Sequence, residues 1–130
     1  MTALTGPRNT PERSATTRTV PAAAGHVFHP GAIGAIDTST GYAVRATNAS
    51  GLRGLGRVER HVDTTGLNDG DRHVAMVAGT FRYAGDGSID RTQIGQPASI
   101  VDDQTVGTGG SATAGTIFDV DDVGVWVTFE

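Results

Sequence analysis

The chain has 130 residues, a formal net charge of −4, no cysteine and 19 glycines. Those figures fit one domain and exclude disulfides, thiolate chemistry and Cys-type zinc sites. The mild acidity argues against a general nucleic-acid binder, no apolar run approaches the ~20 residues of a membrane-spanning helix, and the N-terminal region lacks the apolar core of a signal peptide.

Glycine adds no side chain to a core and loses the most backbone freedom on folding. With aromatics at only 5%, the body either draws part of its stability from neighbours or stands alone as a glycine-rich β protein with many turns. Residues 1–20 read as an extended N-terminal arm. Pro7, Pro11 and Pro21 oppose helix and central strand alike, and Arg8, Arg13 and Arg18 against Glu12 make the segment basic on an acidic chain. Such an arm is either a disordered tail or a segment that lies on an acidic surface of a partner or neighbouring subunit and orders on contact. Residues 21–130 are expected to form a single β domain.

Within it, Gly31–Asp37 and Tyr42–Ala46, joined by the polar turn Asp37–Gly41, predict a hairpin. Gly51–Glu59 carries three glycines, each costing a helix about 1 kcal/mol relative to alanine. A strand with bulges or close backbone approaches fits better, its Arg53 and Arg57 facing solvent or a partner. Asp63–Gly70 is a loop. Arg72–Tyr83 reads as one long strand, apolar on both faces and so central. Gly85–Ser88 is a turn, Ile89–Ile94 a single helical turn, and Pro97 delays the next strand to about Ala98. Thr108–Ser111 is a glycine-rich tip.

The strongest pattern is the last third. Thr116–Val120 and Val123–Phe129 flank Asp121-Asp122, an acidic pair that belongs in a turn. Val123, Val125, Val127 and Phe129 recur at the strand period and share a face, with Trp126 and Thr128 on the other. Many short strands without a normal helix indicate an all-β fold: a small β-barrel or β-tulip-like sandwich with an extended N-terminal arm.

No arrangement carries catalysis or a cofactor. His26, His29, His61 and His73 have no spacing that gathers a zinc ion. Asp102, Asp103, Asp119, Asp121 and Asp122 read as turn carboxylates, since a calcium loop would need a terminal glutamate that is missing. Ser50, Ser88, Ser99 and Ser111 sit in no nucleophile elbow, and Gly107–Gly110 lacks the lysine and helix of a phosphate loop.

The chain resembles the capsid cement, or head decoration, proteins of tailed phages. The likeness lies in Gly31-Ala32 through Asp37, Gly41-Tyr42, Gly51-Leu52 through Glu59, Gly79–Tyr83, Val101–Val106, Thr113–Asp121 and Gly124–Val127, and in Arg8-Asn9-Thr10-Pro11 of the arm. The resemblance implies a mostly β, non-enzymatic structural component of the virion. It would sit on the exterior of the phage head, bind the major capsid protein and self-associate, often as a trimer, with no direct nucleic-acid or membrane contact. Arg8, Arg13, Arg18, Arg53 and Arg57 are the expected capsid-binding residues. Tyr83, Trp126 and Phe129 are the expected subunit contacts. Other readings are a head-fibre base, a tail protein, or a small carbohydrate-binding β module.

Overall fold

The structure, a computed structural model, describes residues 2–130; Met1, the first residue of the expected arm, lies outside them. In chain order the strands are β1 (Thr17–Pro21), β2 (Val27–Phe28), β3 (Ile33–Asp37), β4 (Ala43–Arg45), β5 (Leu52–Val58), β6 (Val62–Asp63), β7 (His73–Val77), β8 (Gly79–Gly85), β9 (Pro97–Ile100), β10 (Thr105–Gly107), β11 (Thr113–Val120) and β12 (Val125–Phe129). The expected helical turn is a 3₁₀ turn, Arg91–Gln93, between β8 and β9. Asp90 caps it: its Oδ1 accepts from the Thr92 amide at 2.8 Å, while Gln93 Oε1 accepts from the Asp90 amide at 2.7 Å. Two donors that the short turn would leave free are thereby satisfied.

Five strands close on themselves as a barrel. β11 pairs β12, β12 pairs β8, β8 pairs β10 in parallel, β10 pairs β9, and β9 returns to β11. Closure removes the unpaired edges that an open sheet would present. The period-two pattern fixes which way β12 faces: Val125, Val127 and Phe129 are buried, opposite Tyr83, Phe81 and Gly79 of β8. The fold is therefore all-β, a barrel with additional strands packed on its outside.

Those outer strands run in the order β1-β7-β5-β3-β4. An isolated bridge between Ala22 and Ala43 returns the last to the first, with the Ala23 amide donating to the Ala43 carbonyl at 2.9 Å. The result is a second, looser circuit with its own apolar cluster of Val20, Ala22, Phe28, Ala43, Val58, Val74 and Met76. The β3–β4 hairpin is the wall between the two cores. Ile33, Ala35, Val44 and Ala46 face the barrel's cluster, and Ala32, Ile36 and Ala43 face the smaller one.

β5 is the joint. It pairs β3 and β7 within the outer circuit and touches β11 of the barrel through Thr113 and Arg53. Three strands can crowd one only where side chains are missing. A Cβ on Gly54 would fall 2.9 Å from Ala114 Cα, and one on Gly56 would fall 2.8 Å from the Val77 carbonyl carbon. The expectation that this glycine-rich strand allows close backbone approach is met.

Three expectations are corrected. Arg72–Tyr83 is two strands rather than one central strand, because the chain leaves the outer circuit at Ala78 and enters the barrel. Val74 and Met76 of β7 bury in the smaller core and Tyr83 of β8 in the larger. The sheet begins at Thr17, not at 21: β1 pairs β7 from Thr17↔Val77 to Pro21↔His73, leaving residues 2–16 as the exposed arm. Val123 does not continue the β12 face. It lies 68% exposed in a turn closed by an Asp121 amide to Gly124 carbonyl bond of 3.0 Å.

Candidate interaction surface

The five expected capsid-binding arginines occupy different settings. Arg8 and Arg13 lie on the exposed arm, and Arg8 Nη1 donates only to Thr10 Oγ1, at 3.3 Å. Arg18 is half-buried on β1 and donates through Nη2 to the Glu130 carbonyl at 3.3 Å, so it joins the arm's root to the end of β12. Arg53 is exposed beside buried Leu52. Arg57 is half-buried with its guanidinium 5.0 Å from the Phe81 ring centre, a cation–π arrangement. Its Nε is buried without a hydrogen-bond partner. Arg8, Arg13 and Arg53 are the exposed cations of the five.

The expected subunit contacts divide more sharply. Tyr83 and Phe129 belong to the barrel's own core, at 7% and 3% exposure, with their rings edge to face at 6.2 Å. Both are corrected: an aromatic spent inside a barrel cannot also meet a neighbour. Burial pushes the Tyr83 phenol up to about 12, and its hydroxyl donates to the Gly31 carbonyl at 3.1 Å. Trp126 sits outside the barrel, half-buried. Its Nε1 donates to Asp121 Oδ2 at 2.8 Å and its ring lies 5.7 Å beneath the Arg82 guanidinium. That indole bond, followed by the Val123 and Gly124 amides, holds the Asp121 carboxyl below its ordinary value.

The aromatic side chain that is presented outward is one the sequence pattern passed over. Between Ile117↔Val127 and Asp119↔Trp126 the β11–β12 register shifts, leaving Phe118 as the extra residue of a bulge. Bulges re-aim side chains, and here Phe118 stands 63% exposed. It lines an open groove of about 520 Å³ with Ile94, Thr80, Thr116 and Glu130. Ile94 is itself 42% exposed. A register slip would have been the only signal, and alternation of Thr116, Ile117 and Phe118 does not carry one.

The remaining polar groups are explained by local structure. Asp37, Asp86 and Asp90 accept from the hydroxyl and amide of Ser39, Ser88 and Thr92, which lowers each carboxyl and closes each turn. Asp103 pairs with Arg45 at 2.9 Å, in an open hollow of about 540 Å³ that also includes His29, Arg82 and Gln104. His26 Nδ1 accepts from the Arg45 amide at 3.2 Å, and the His29 and His61 rings lie 5.9 Å apart. Among the described residues no three histidines or carboxylates gather as metal ligands.

The chain matches no protein-family model, no curated protein and no solved structure. Its functional reading rests on these residues and on the resemblance noted in its sequence.

Proposed function

We propose that the chain is a capsid cement protein, a non-enzymatic virion component that binds the outside of a phage head and ties major capsid subunits together. The observation that carries the reading is the pairing of a closed, filled barrel with an exposed basic arm of residues 2–16. The barrel interior is occupied by Tyr83, Ile100, Val106, Ile117, Val127 and Phe129. Fifteen extended residues reach up to about 50 Å at ~3.3 Å each, which lets one copy contact more than the subunit beneath its body. Packaged DNA presses outward on a shell, and a bridging molecule adds contacts that must break before subunits separate. Many copies on one shell multiply a modest individual contribution.

Arg8, Arg13 and Arg53 are the exposed cations available to an acidic capsid surface. The test is binding to purified heads that lack the protein. Bound copies should saturate at a number comparable to the major capsid protein, heads should lose DNA at a higher temperature once occupied, and a chain without residues 2–16 should bind more weakly while keeping its β spectrum. Binding at a few copies per particle, as a head-fibre base or tail piece would show, overturns the proposal.

A further inference from the structure

The open hollow where the two circuits meet collects cations. Its walls come from four separate stretches: His29 to Ala32 ahead of β3, Arg45 at the end of β4, Arg82 to Ala84 in β8, and Asp103 with Gln104 in the β9–β10 turn. Hydrogen bonds between those stretches hold the hollow open at about 540 Å³. The Ile33 amide donates to the Asp103 carbonyl at 2.8 Å, the Ala84 amide to the Gln104 carbonyl at 3.0 Å, and the Tyr83 hydroxyl to the Gly31 carbonyl at 3.1 Å.

Two guanidinium groups line it, and each is positioned by a neighbour that leaves donors free. Asp103, its side chain 15% exposed, accepts from Arg45 Nε at 2.9 Å through Oδ2. That bond uses one of the five donors of the guanidinium fork and leaves the Nη groups for a ligand. The Arg82 guanidinium lies 5.7 Å over the Trp126 ring, and among the described residues it forms no ion pair. Asp121 does not take that place. Its carboxyl is held low first by the Trp126 indole and least by the Arg82 charge, and its oxygens accept from Trp126 Nε1 and from the Val123 and Gly124 amides.

The charge balance selects the ligand. With His29 neutral, Arg45 and Arg82 against Asp103 leave one positive charge in excess, on a chain of net −4. A monoanion cancels that excess. A phosphate dianion overshoots it and meets the Asp103 carboxylate inside the same hollow, where like charges repel. A carboxylate is also the planar group that a guanidinium fork grips through two parallel N–H···O bonds. His29 and the Gln104 amide line the hollow as further donors.

We propose that this hollow is a carboxylate-binding site, in which Arg45 and Arg82 grip one carboxylate while Asp103 and Trp126 position the two guanidinium groups. The carboxylate belongs either to a free small acid or to an aspartate or glutamate side chain of a protein. The site is a property of the isolated chain. Its failure leaves the cement reading standing, and the reverse also holds.

Trp126 is the only tryptophan and lies against Arg82, so its fluorescence reports occupancy. The protein is titrated at constant ionic strength and about pH 8, where phosphate is mostly the dianion. The probes are acetate, the peptide acetyl-Gly-Asp-Gly amide, its Asn counterpart and inorganic phosphate. Acetate and the Asp peptide should give a saturable change, the Asn peptide none, and phosphate should bind more weakly than acetate. Tighter binding of the Asp peptide than of acetate assigns the carboxylate to a protein side chain; equal or weaker binding assigns it to a free acid. Arg45→Gln and Arg82→Gln should each weaken acetate binding roughly tenfold. Amide shifts of Ala84 and Gln104 in NMR spectra follow those variants, because Arg82→Gln removes the contact that fluorescence reads. Arg82 is exposed, so its replacement leaves both cores intact. Asp103→Asn raises the excess charge and should bring phosphate ahead of acetate. The proposal is overturned by no saturable response to acetate or the Asp peptide, by phosphate binding at least as tightly as acetate, or by an unchanged response in Arg82→Gln.

Discussion

Gly54→Ala is the sharpest probe of how the two circuits are joined. Gly54 lies in β5, where that strand meets the barrel, and its φ is not in the left-handed region. At such a position alanine ordinarily stabilises by about 0.4–1 kcal/mol, because it restricts the unfolded chain. Here the added Cβ would lie 2.9 Å from Ala114 Cα and 3.0 Å from its carbonyl carbon. Ordinary contact begins near 3.4 Å, and no side-chain rotation can relieve a clash with backbone. β5 and β11 must part by about half an ångström or more, at a cost of roughly 1–3 kcal/mol, as for overpacked cores. Set against the favourable unfolded-state effect, the net loss runs up to about 2.6 kcal/mol. That corresponds to a fall in Tm of roughly 3–5 °C for each kcal/mol in a chain of this size. Urea unfolding followed by Trp126 fluorescence reads the difference directly, with the m-value checking that the unfolded state is unchanged. A Gly54→Ala protein more stable than the parent would refute the close approach of β5 to β11.

Other substitutions test the remaining parts. Ile117→Ala should cost about 2–5 kcal/mol as a core truncation, while its neighbour Phe118→Ala should stay within about 0.5 kcal/mol in the monomer; equal losses would mean that the bulge is misplaced. Because the Trp126 indole and two amides hold the Asp121 carboxyl low, its stabilising effect is present above the ordinary value of 3.8 and disappears as pH falls through the lower folded value. A Trp126 fluorescence change below pH 4 should therefore be absent in Asp121→Asn. Tyr83 has the opposite sign: with its phenol raised from 10.0 to about 12, the fold favours the neutral form, and stability present below pH 10 is lost as pH rises to about 12. Tyr83→Phe should flatten that alkaline decline while losing roughly 0.5–1.5 kcal/mol at neutral pH with its bond to Gly31; an unaltered alkaline profile would contradict the buried placement of Tyr83.

Local chemistry made much of the fold legible. The β3–β4 hairpin follows from small apolar runs around Asp37–Gly41, where Asp37 Oδ1 accepts from the Ser39 amide at 2.9 Å. The β11–β12 hairpin follows from valines at period two around an Asp121 turn. β5 was readable because three glycines disfavour a helix and suggest backbone crowding. Long-range partners were not legible. Nothing near Thr17 signals that it pairs Val77, some sixty residues away, so the sequence pattern does not mark where the arm ends. The run through Arg72–Tyr83 is apolar on both faces because consecutive strands serve different cores, and a single central strand gives the same pattern. True two-sided burial falls instead on β3 and β4, whose glycine and alanine make a thin wall rather than a conspicuous apolar run.

The interaction surface was the least legible part, for a related reason. Aromatic residues can sit inside a barrel or outside it, and the register decides between them. Tyr83 and Phe129, expected at a subunit contact, are core, whereas Phe118, inside an apolar run, is the aromatic turned outward by a one-residue bulge. The basic character of the arm was plain from Arg8 and Arg13. The groove beside the barrel is assembled from Thr80, Ile94, Phe118 and Glu130, and their proximity exists only after folding.

The most direct test of the cement reading is electron cryo-microscopy of phage heads with and without the protein. The reading predicts added density over the outer surface of the shell at many equivalent positions, fitting a five-stranded barrel, with an extension the length of residues 2–16 reaching a neighbouring molecule. Density confined to the tail or to a single vertex, or none on the shell's exterior, would contradict it.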